Sequence, residues 1–194
     1  IIIFINLKNN SEKDIYENYK KSCKKKINKI NFTEKIDIKI ENNKKALLKF
    51  KKIYDKSMVN LNADKTYFKD KKFYGKIYNN LRKNFIIFSL YFREEILTSQ
   101  LLLFDDETVH CHMYGSTEYA KKKSLIVFSY HKLIMWAKRK GFNKINFGGG
   151  RTSDINDTLL QFKQNFSNAY LKYHIGEKVL NKKVYDKLSL NKNE

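Results

Sequence analysis

Three consecutive glycines and an arginine, Gly148, Gly149, Gly150 and Arg151, directly follow a short apolar segment at 144–147. Glycine lets the backbone approach a ligand closely and permits a positive φ. A guanidinium group can bind a phosphate or a carboxylate through paired hydrogen bonds. Three of the seven glycines of the chain lie in this run. The run therefore predicts a turn that lines a substrate site, with an ordinary turn as the alternative.

A second group of reactive side chains, His110, His112 and Tyr114, alternates along an apolar segment that ends at Ser116. Alternation along a strand places these three on one face. The opposite face would then carry Val109, Cys111 and Met113. Two histidines at this spacing can bind a metal, but the sequence shows no third ligand, and we predict no metal site. His112 is a candidate proton carrier, and Tyr114 and Ser116 are candidates for hydrogen bonding to a substrate.

Three carboxylates near these segments could act as a general base: Glu118, Asp154 and Asp157. The sequence does not choose among them. Asp157 precedes an apolar segment with helical spacing, so it could simply cap that helix. The proton could also pass to the substrate itself or to water.

The chain is strongly basic: its 194 residues include 40 Lys+Arg and 20 Asp+Glu, a formal net charge of +20. Such a charge is typical of proteins that bind nucleic acids. Only four of the basic residues are arginine, however, which is the residue best suited to phosphate and base contacts. Because 21 asparagines accompany the lysines, the composition indicates that much of the charge is background on solvated faces. We predict no stable DNA binding.

Cys23 and Cys111 form neither a CxxC metal motif nor a disulfide framework. Their spacing predicts a reduced, cytoplasmic chain, with the inner membrane face as the alternative location. No apolar run reaches the ~18–20 residues of a transmembrane segment. The chain begins at Ile1 rather than at methionine, which suggests a fragment of a longer protein.

Hydrophobic periodicity predicts the elements that must position these residues. Strands are expected at 1–7, 36–40, 85–92, 96–104, 108–114, 144–147 and 169–175. Helices are expected at 11–30, 47–58, 73–81, 124–140, 159–166 and 178–190. Short turns between the third, fourth and fifth strands predict an antiparallel meander. We therefore predict an α+β fold, a mixed and mostly antiparallel sheet flanked by helices.

This order of elements resembles the GNAT acyltransferase fold, in which the last meander strand and the next strand part and the acyl donor enters between them. Several segments resemble one branch of it, the FemABX-type aminoacyltransferases. These segments are INLKNNSEKDIYENYKKSCKKKINKI (5–30), HCHMYGST (110–117), LIMWAKRKGFNKINFGGGR (133–151), TLLQFKQNFS (158–167) and YHIGEKVLNKKVYDKL (173–188). The resemblance covers nearly the whole chain. It implies one GNAT-like domain over 1–194, with residues 1–10 as a candidate crossover strand from a missing N-terminal domain.

The resemblance implies transfer of an activated acyl group to an amine on a cell-envelope precursor, a peptidoglycan or surface-glycan intermediate. The donor would be aminoacyl-tRNA, with no bound cofactor. Lys163 takes the place of the lysine that assists at the donor carbonyl, and Phe162 borders the donor pocket. We therefore expect Lys163 and Tyr114 to be catalytic. The substrate-binding residues would be His112, Ser116, Gly148, Gly149, Gly150, Arg151 and Phe162.

Two departures from the expected patterns bear on the substrates. The glycine-rich pyrophosphate loop of many GNAT enzymes is absent before the helix at about 124, where the sequence reads EYAKKKSL. This absence weakens the case for acyl-CoA as donor. In the FemABX resemblance, Asn60 stands near a position that often carries a basic residue, which puts a nucleotide-linked acceptor in doubt. The alternatives are an acyl-CoA- or acyl-carrier-dependent N-acyltransferase acting on an amino sugar, and a non-catalytic domain that binds RNA or another anion.

Overall fold

The computed structural model of the chain describes residues 1–30, 36–152, 154–174 and 176–190. Seven strands are found in these ranges: β1 (Ile2–Asn6), β2 (Asp37–Glu41), β3 (Phe85–Phe92), β4 (Glu95–Phe104), β5 (Thr108–Ser116), β6 (Lys144–Gly148) and β7 (Tyr170–Leu171). Eight α-helices accompany them: α1 (Glu12–Glu17), α2 (Lys21–Ile30), α3 (Lys44–Asn60), α4 (Lys71–Asn80), α5 (Glu118–Lys122), α6 (Leu125–Arg139), α7 (Thr158–Lys163) and α8 (Lys182–Leu190). A short 3-10 helix, Lys65–Tyr67, follows α3.

The strands form one sheet in the order β2-β3-β4-β5-β6-β1-β7. Every neighbouring pair is antiparallel except β5 and β6, which are parallel. The predicted meander is therefore present as β3–β4–β5. The α+β prediction, with a mixed and mostly antiparallel sheet flanked by helices, is confirmed.

Two hydrophobic cores lie on opposite faces of the sheet. The larger joins β1, β4 and β6 to α1, α2 and α6, and includes Leu133 and Phe147. The smaller joins β3 and β4 to α3 and α4, with Phe50 and Tyr74 at its centre. Because both faces are covered, the meander strands read as continuous apolar runs rather than as alternating ones. Burial of these faces is the main source of folding free energy.

The predicted helix at 11–30 is wrong in one respect, because the structure divides it into α1 and α2. The backbone N–H of Lys20 donates to the carbonyl of Asn165, 2.9 Å away on the segment after α7. This tertiary hydrogen bond takes a donor that a continuous helix would bond internally. The apolar positions of the pattern are nevertheless buried: Ile15, Tyr19, Cys23, Ile27 and Ile30.

Other differences from prediction are the short helix α5 at Glu118–Lys122, which was not predicted, and the C-terminal end of the chain. The strand predicted at 169–175 is limited to two residues, Tyr170 and Leu171, and Ile175 lies outside the described residues. Helix α8 has no buried residue. Gly141 ends α6 with a φ of +85°, as its place at the C-terminal cap predicts.

Helix α3 lies so close to β5 at Gly115 that a side chain at this position would meet the helix backbone. A Cβ atom at this position would lie 2.8 Å from the Cα of Tyr54 and 2.9 Å from its backbone nitrogen. Gly115→Ala should therefore lower the free energy of unfolding by about 1–3 kcal/mol, since backbone atoms must move to make room. Urea denaturation measures this loss. Gly75→Ala on α4, where no atom lies within 4 Å of the added carbon, is the matched control and should be neutral or stabilising. Equal stability of the two variants would contradict the close approach.

His131 on α6 should make stability depend on pH. Its ring lies 5.6 Å from the ring of Tyr16 and 5.8 Å from that of Tyr19, and burial lowers its pKa to about 4. An unfolded histidine takes up its proton near pH 6.5. As pH falls from 7 to 5, the unfolded chain gains this proton and the folded chain does not, so stability should fall by about 1–2 kcal/mol. In His131→Gln, the free energy of unfolding measured by urea denaturation should fall less over the same pH range. A pH dependence equal to that of the wild type would exclude this role of His131.

Candidate active site

The parallel strands β5 and β6 part after a short paired stretch. They pair at three positions, the last of which joins His110 to Asn146. Beyond that pair a cavity of about 710 Å³ opens, lined on one side by Cys111–Tyr114 and on the other by Phe147 and the turn at 149–151. The opening expected from the GNAT-like order of elements is therefore present.

A β-bulge at His112 changes which side chains face the opening. Leu101 of β4 pairs with Met113 and Leu102 pairs with Cys111, so His112 is an extra residue in β5. A bulge of this kind places two residues opposite one and interrupts alternation. The prediction that His112 and Tyr114 share a face is therefore wrong. Tyr114 packs with Cys111 against the larger core, whereas the His112 ring stacks 6.5 Å from that of Phe73 on α4.

The bulge gives the cavity two sides around the edge of β5. Cys111 and Tyr114 line the side covered by α6 and α7. His112 and Met113 line the side covered by α3 and α4. Two substrates could thus approach the same strand edge from opposite faces of the sheet.

Lys163, at the end of α7, is 7% exposed and lines the cavity. Its Nζ donates to the carbonyl oxygen of Gly149, and it forms no ion pair with a carboxylate among the described residues. Burial lowers the pKa of this ammonium, although the Cys111 thiol and Asp157 nearby oppose the effect. Lys163 is buried because it lies, together with Leu160, on the side of α7 that faces the interior of the protein.

Asp157 is a structural residue that holds the glycine-rich turn in place. Its Oδ1 accepts hydrogen bonds from the backbone of Leu159 and Leu160 at the start of α7. Its Oδ2 accepts from the backbone of Arg151 and Thr152, at 3.0 and 3.1 Å. These backbone hydrogen bonds lower its pKa, which makes it a poor general base.

The turn itself requires glycine for more than one reason. Gly148 has a φ of +73°, in the left-handed region that side chains disfavour. A Cβ on Gly150 would lie 2.7 Å from the Asp157 carboxylate. Gly149, Gly150 and Arg151 line the cavity, and Gly148 turns the chain just before them. The interpretation as a turn beside the cavity is therefore favoured over that of an ordinary surface turn.

The charged groups around the cavity are mostly cationic. Lys121, Arg151 and Lys163 line it, whereas Asp64 is the one carboxylate among the lining residues that the structure describes. Lys121 pairs with Glu118 at 2.5 Å. The Arg151 guanidinium makes no hydrogen bond or ion pair with any described residue and is therefore available to an anionic ligand.

Aromatic rings form the wall between Lys163 and Tyr114. The ring of Tyr130, on α6, lies 5.2 Å from that of Phe162 and 5.5 Å from those of Tyr114 and Phe147. The hydroxyl of Tyr114 is buried and has no hydrogen-bond partner among the described residues. Burial raises its pKa well above the ordinary value, and the nearby hydroxyls of Thr98 and Ser116 oppose the effect only in part, so it stays protonated. Ser116 is also buried and lines the cavity.

The remaining candidate bases differ in position. Asp154 is exposed, and its Oδ1 accepts from the backbone of Asn156. Glu118 accepts from Lys121 and, at 3.3 Å, from Asn60. His112 lines the cavity, and burial with the nearby charge of Lys69 lowers its pKa. It is thus neutral at pH 7 and able to accept a proton.

Sequence reasoning missed several residues of the cavity. The sequence suggests Cys111 only for disulfide or metal chemistry, yet it lines the cavity together with Lys163, and burial raises the pKa of its thiol to about 12. Gln100 on β4 is 1% exposed and lines the cavity, as does Ser57 on α3. The polar residue Gln100 within the run EILTSQLLLF was the available signal, because a polar side chain in a fully buried strand needs a partner.

Neither a metal-binding cluster nor a membrane-spanning helix is found among the described residues. In the part of the chain that the structure describes, no three His, Cys, Asp or Glu side chains are grouped so as to hold a metal ion. Over the same residues, no helix is both long and apolar enough to cross a bilayer.

Comparison with solved structures shows a shared fold at low sequence identity. FemX has a TM-score of 0.70 at 10% identity, over 85% of this chain and 57% of its own. L-PGS from Bacillus licheniformis has a TM-score of 0.57 at 14% identity, over 85% and 55%. An aminoglycoside acetyltransferase from an uncultured soil metagenomic sample has a TM-score of 0.53 at 13% identity, over 75% and 99%. The chain thus spans just over half the length of the first two.

No curated protein sequence matches the chain. The family model described as the acetyltransferase (GNAT) domain matches residues 18–164, which include β2–β6, α7 and every candidate site residue. The protein therefore belongs to the acetyltransferase (GNAT) domain family.

Proposed function

We propose that this acyltransferase-family domain joins an activated aminoacyl group to an amine on a cell-envelope precursor. The observation that carries the proposal is the buried ammonium of Lys163 at the point where β5 and β6 part. An ammonium that is buried without a carboxylate partner is costly. Such a group is well placed to stabilise negative charge that develops on a substrate.

The reaction needs one oxyanion to be stabilised and one proton to be moved. The neutral amine of the acceptor attacks the carbonyl carbon of the donor ester, and the carbonyl oxygen becomes negatively charged. The ester C–O bond then breaks, the carbonyl re-forms, and the leaving oxygen takes a proton as the amine loses one. An ammonium has three N–H donors. One of those on Lys163 is used by Gly149, which leaves two for the oxyanion.

His112 is the proposed proton acceptor. It lies on the α3 side of the β5 edge, and its lowered pKa keeps it neutral at pH 7. Lys163 lies on the α7 side of the same edge. The amine of the acceptor would thus enter beside α3, and the donor would enter beside α7. Phe162 and Tyr114, whose rings both pack on Tyr130, would line the donor side.

The local structure before α6 favours aminoacyl-tRNA over acyl-CoA as donor. Helix α5 occupies this segment, where Ala120 donates to the Thr117 hydroxyl and Lys121 to its carbonyl. Lys123 and Ser124 also donate within the segment. These amides are therefore not free to cradle a pyrophosphate. Lys121 and Arg151 at the cavity could instead contact the phosphates near the end of a tRNA.

The acceptor is proposed to be a peptidoglycan or surface-glycan precursor. The segments that resemble the FemABX-type enzymes, among them 110–117, 133–151 and 158–167, support this class, and the fold shared with FemX agrees with that resemblance. The position that was expected to be basic carries Asn60, which is bonded to Glu118. A neutral amide beside a carboxylate does not favour a diphosphate, so a nucleotide-linked acceptor remains the less favoured form.

A second candidate is an N-acyltransferase that uses acyl-CoA or an acyl carrier and acts on an amino sugar. The aminoglycoside acetyltransferase that shares the fold is matched over 99% of its length. A domain of this size can therefore be a whole enzyme in that relative.

Lys163→Met should reduce kcat/KM about 10²–10³-fold, the usual effect of removing an oxyanion-stabilising donor. Methionine keeps the length of the side chain and removes its charge. The measurement is steady-state transfer of a radiolabelled acyl group at pH 7.5.

The matched control is Lys138→Met. Lys138 also donates from Nζ to a main-chain carbonyl, that of Leu7 at 2.8 Å, but it lies outside the cavity lining. It should lose stability with little change in turnover. Equal turnover by the Lys163 variant and the wild type would rule out the catalytic role of Lys163.

The donor class can be decided by a direct competition. Wild-type protein is given aminoacyl-tRNA or acetyl-CoA with a panel of amine acceptors, namely peptidoglycan precursors and amino sugars. We expect acceptor-dependent release of free tRNA at a rate at least about 100-fold above release of free CoA. Acetyl-CoA turnover with an amino sugar, and none with aminoacyl-tRNA, would establish the second candidate. Salt-sensitive RNA binding without any turnover would show a non-catalytic domain.

A further inference from the structure

Gln100 and Tyr114 form a polar pair in the wall of the cavity. They are register partners on β4 and β5, and both belong to the side of the sheet that α6 covers, where Ser129 and Tyr130 lie. Gln100 is 1% exposed, and the hydroxyl of Tyr114 is also buried. Both residues line the cavity. Neighbouring side chains on one face of paired strands lie close enough to act on a single ligand group.

The Gln100 amide has its nitrogen towards Ser129. Its Nε2 donates to the Ser129 hydroxyl at 3.0 Å, and that hydroxyl also accepts from Thr98 at 3.0 Å. One of the two N–H donors of the amide is thus used, and the opposite atom, Oε1, is turned away from Ser129. Gln100 Oε1 is buried and has no hydrogen-bond partner among the described residues.

Two buried polar atoms at one place therefore lack a hydrogen bond of ordinary geometry: the acceptor Gln100 Oε1, and the Tyr114 hydroxyl, whose polar neighbours are the hydroxyls of Thr98 and Ser116. Buried polar groups in folded proteins are nearly always hydrogen-bonded, because an unpaired one loses its hydration without replacement. Thr98 and Ser129 beside Gln100 are also buried, but they are hydrogen-bonded to each other, so an apolar residue at position 100 would avoid the cost of the unpaired acceptor. The pair is best explained by a ligand group that enters the cavity and satisfies both atoms.

The position of the pair relative to Lys163 limits which part of a substrate it can meet. Cys111 and Lys163 line the same cavity, and the thiol and the ammonium interact electrostatically. Tyr114 follows Cys111 three residues later on β5, with the bulge between them. This corresponds to about 7–10 Å along the strand. The ring of Tyr130 packs on both Phe162 and Tyr114 and so spans the two places. If the carbonyl of an acyl group is held at Lys163, an acyl chain of about six bonds would place its far end at Gln100 and Tyr114.

We propose that Gln100 and Tyr114 form a specificity subsite for an amine or hydroxyl group carried near the end of the transferred acyl group. This group donates one hydrogen bond to Gln100 Oε1. It forms a second hydrogen bond with the Tyr114 hydroxyl, either as acceptor or as donor. An acetyl group is too short to reach the pair, and a plain alkyl chain leaves both atoms unpaired. This inference rests on the proposed function for the placement of the carbonyl at Lys163, but its test does not depend on turnover.

The test uses three small amides of equal or nearly equal length as probes: 6-aminohexanamide, 6-hydroxyhexanamide and heptanamide. Binding to the whole chain is followed by titration in NMR, with the ¹⁵N-labelled side-chain amide of Gln100 as the reporter. The two polar probes should bind about tenfold or more tightly than heptanamide, because a site built for a hydrogen bond rejects the analogue that lacks it. They should also shift the Gln100 resonance. 3-Aminopropanamide, which is too short, should lose the advantage.

Gln100→Met keeps the shape of the side chain and should remove the preference for the polar probes. The matched control is Ser99→Ala. It deletes a buried hydroxyl of β4 that is hydrogen-bonded to the Ser89 hydroxyl at 2.7 Å and lies outside the cavity lining. This control should keep the preference. Tyr114→Phe removes only a hydroxyl and should reduce the preference in part, so it serves if Gln100→Met does not fold.

Each outcome decides the inference. Equal binding of all three probes to the wild type, or a preference that survives in Gln100→Met, would overturn it and would indicate that ordered water satisfies the pair. A preference for the hydroxyl or for the amine identifies which group the acyl chain carries. Discrimination among the probes without transfer from aminoacyl-tRNA would refute the proposed function and leave the subsite standing.

Discussion

A lysine ammonium kept from water and held by one main-chain carbonyl sets the requirements for the rest of this site. Lys163 can stay charged in that place only if its surroundings supply some compensation, and the Gly149 carbonyl is the group that does so. The carbonyl is available because Gly148 turns the chain with a positive φ. This glycine turn is held by the carboxylate of Asp157, which also caps the start of α7 and so places Lys163 at the last position of that helix.

Because the site depends on where α7 places Lys163, the position of this helix matters more than its length. The helix has six residues and gains little stability by itself. It is fixed by Asp157 at its start and by the aromatic cluster of Phe162, Phe166 and Tyr130 along its side. Site geometry therefore comes from a capped helix, a glycine turn and ring packing.

Sequence patterns predicted the scaffold well, because long apolar runs and helical spacing reflect burial directly. The meander, α3, α4, α6 and β6 were found near their predicted bounds. Three features could not be predicted in this way, because each depends on a distant partner. Lys20 leaves the helical pattern to bond Asn165, and α7 turns Lys163 inward because Leu160 faces the core. The buried acceptor of Gln100 is evident only when Ser129 is seen to hold the other end of the amide.

The bulge at His112 has a consequence for how this strand tolerates change in length. One extra residue in β5 is what sends Cys111 and Tyr114 to one side of the sheet and Met113 to the other. Deletion of His112 alone would remove the bulge and leave Cys111, Met113 and Tyr114 on their present sides, because Cys111 and Met113 already pair with the consecutive residues Leu102 and Leu101. The cavity wall would then keep Tyr114 and lose only the imidazole. A relative without the extra residue would therefore share the side of the cavity that α6 covers and differ on the side that α3 covers.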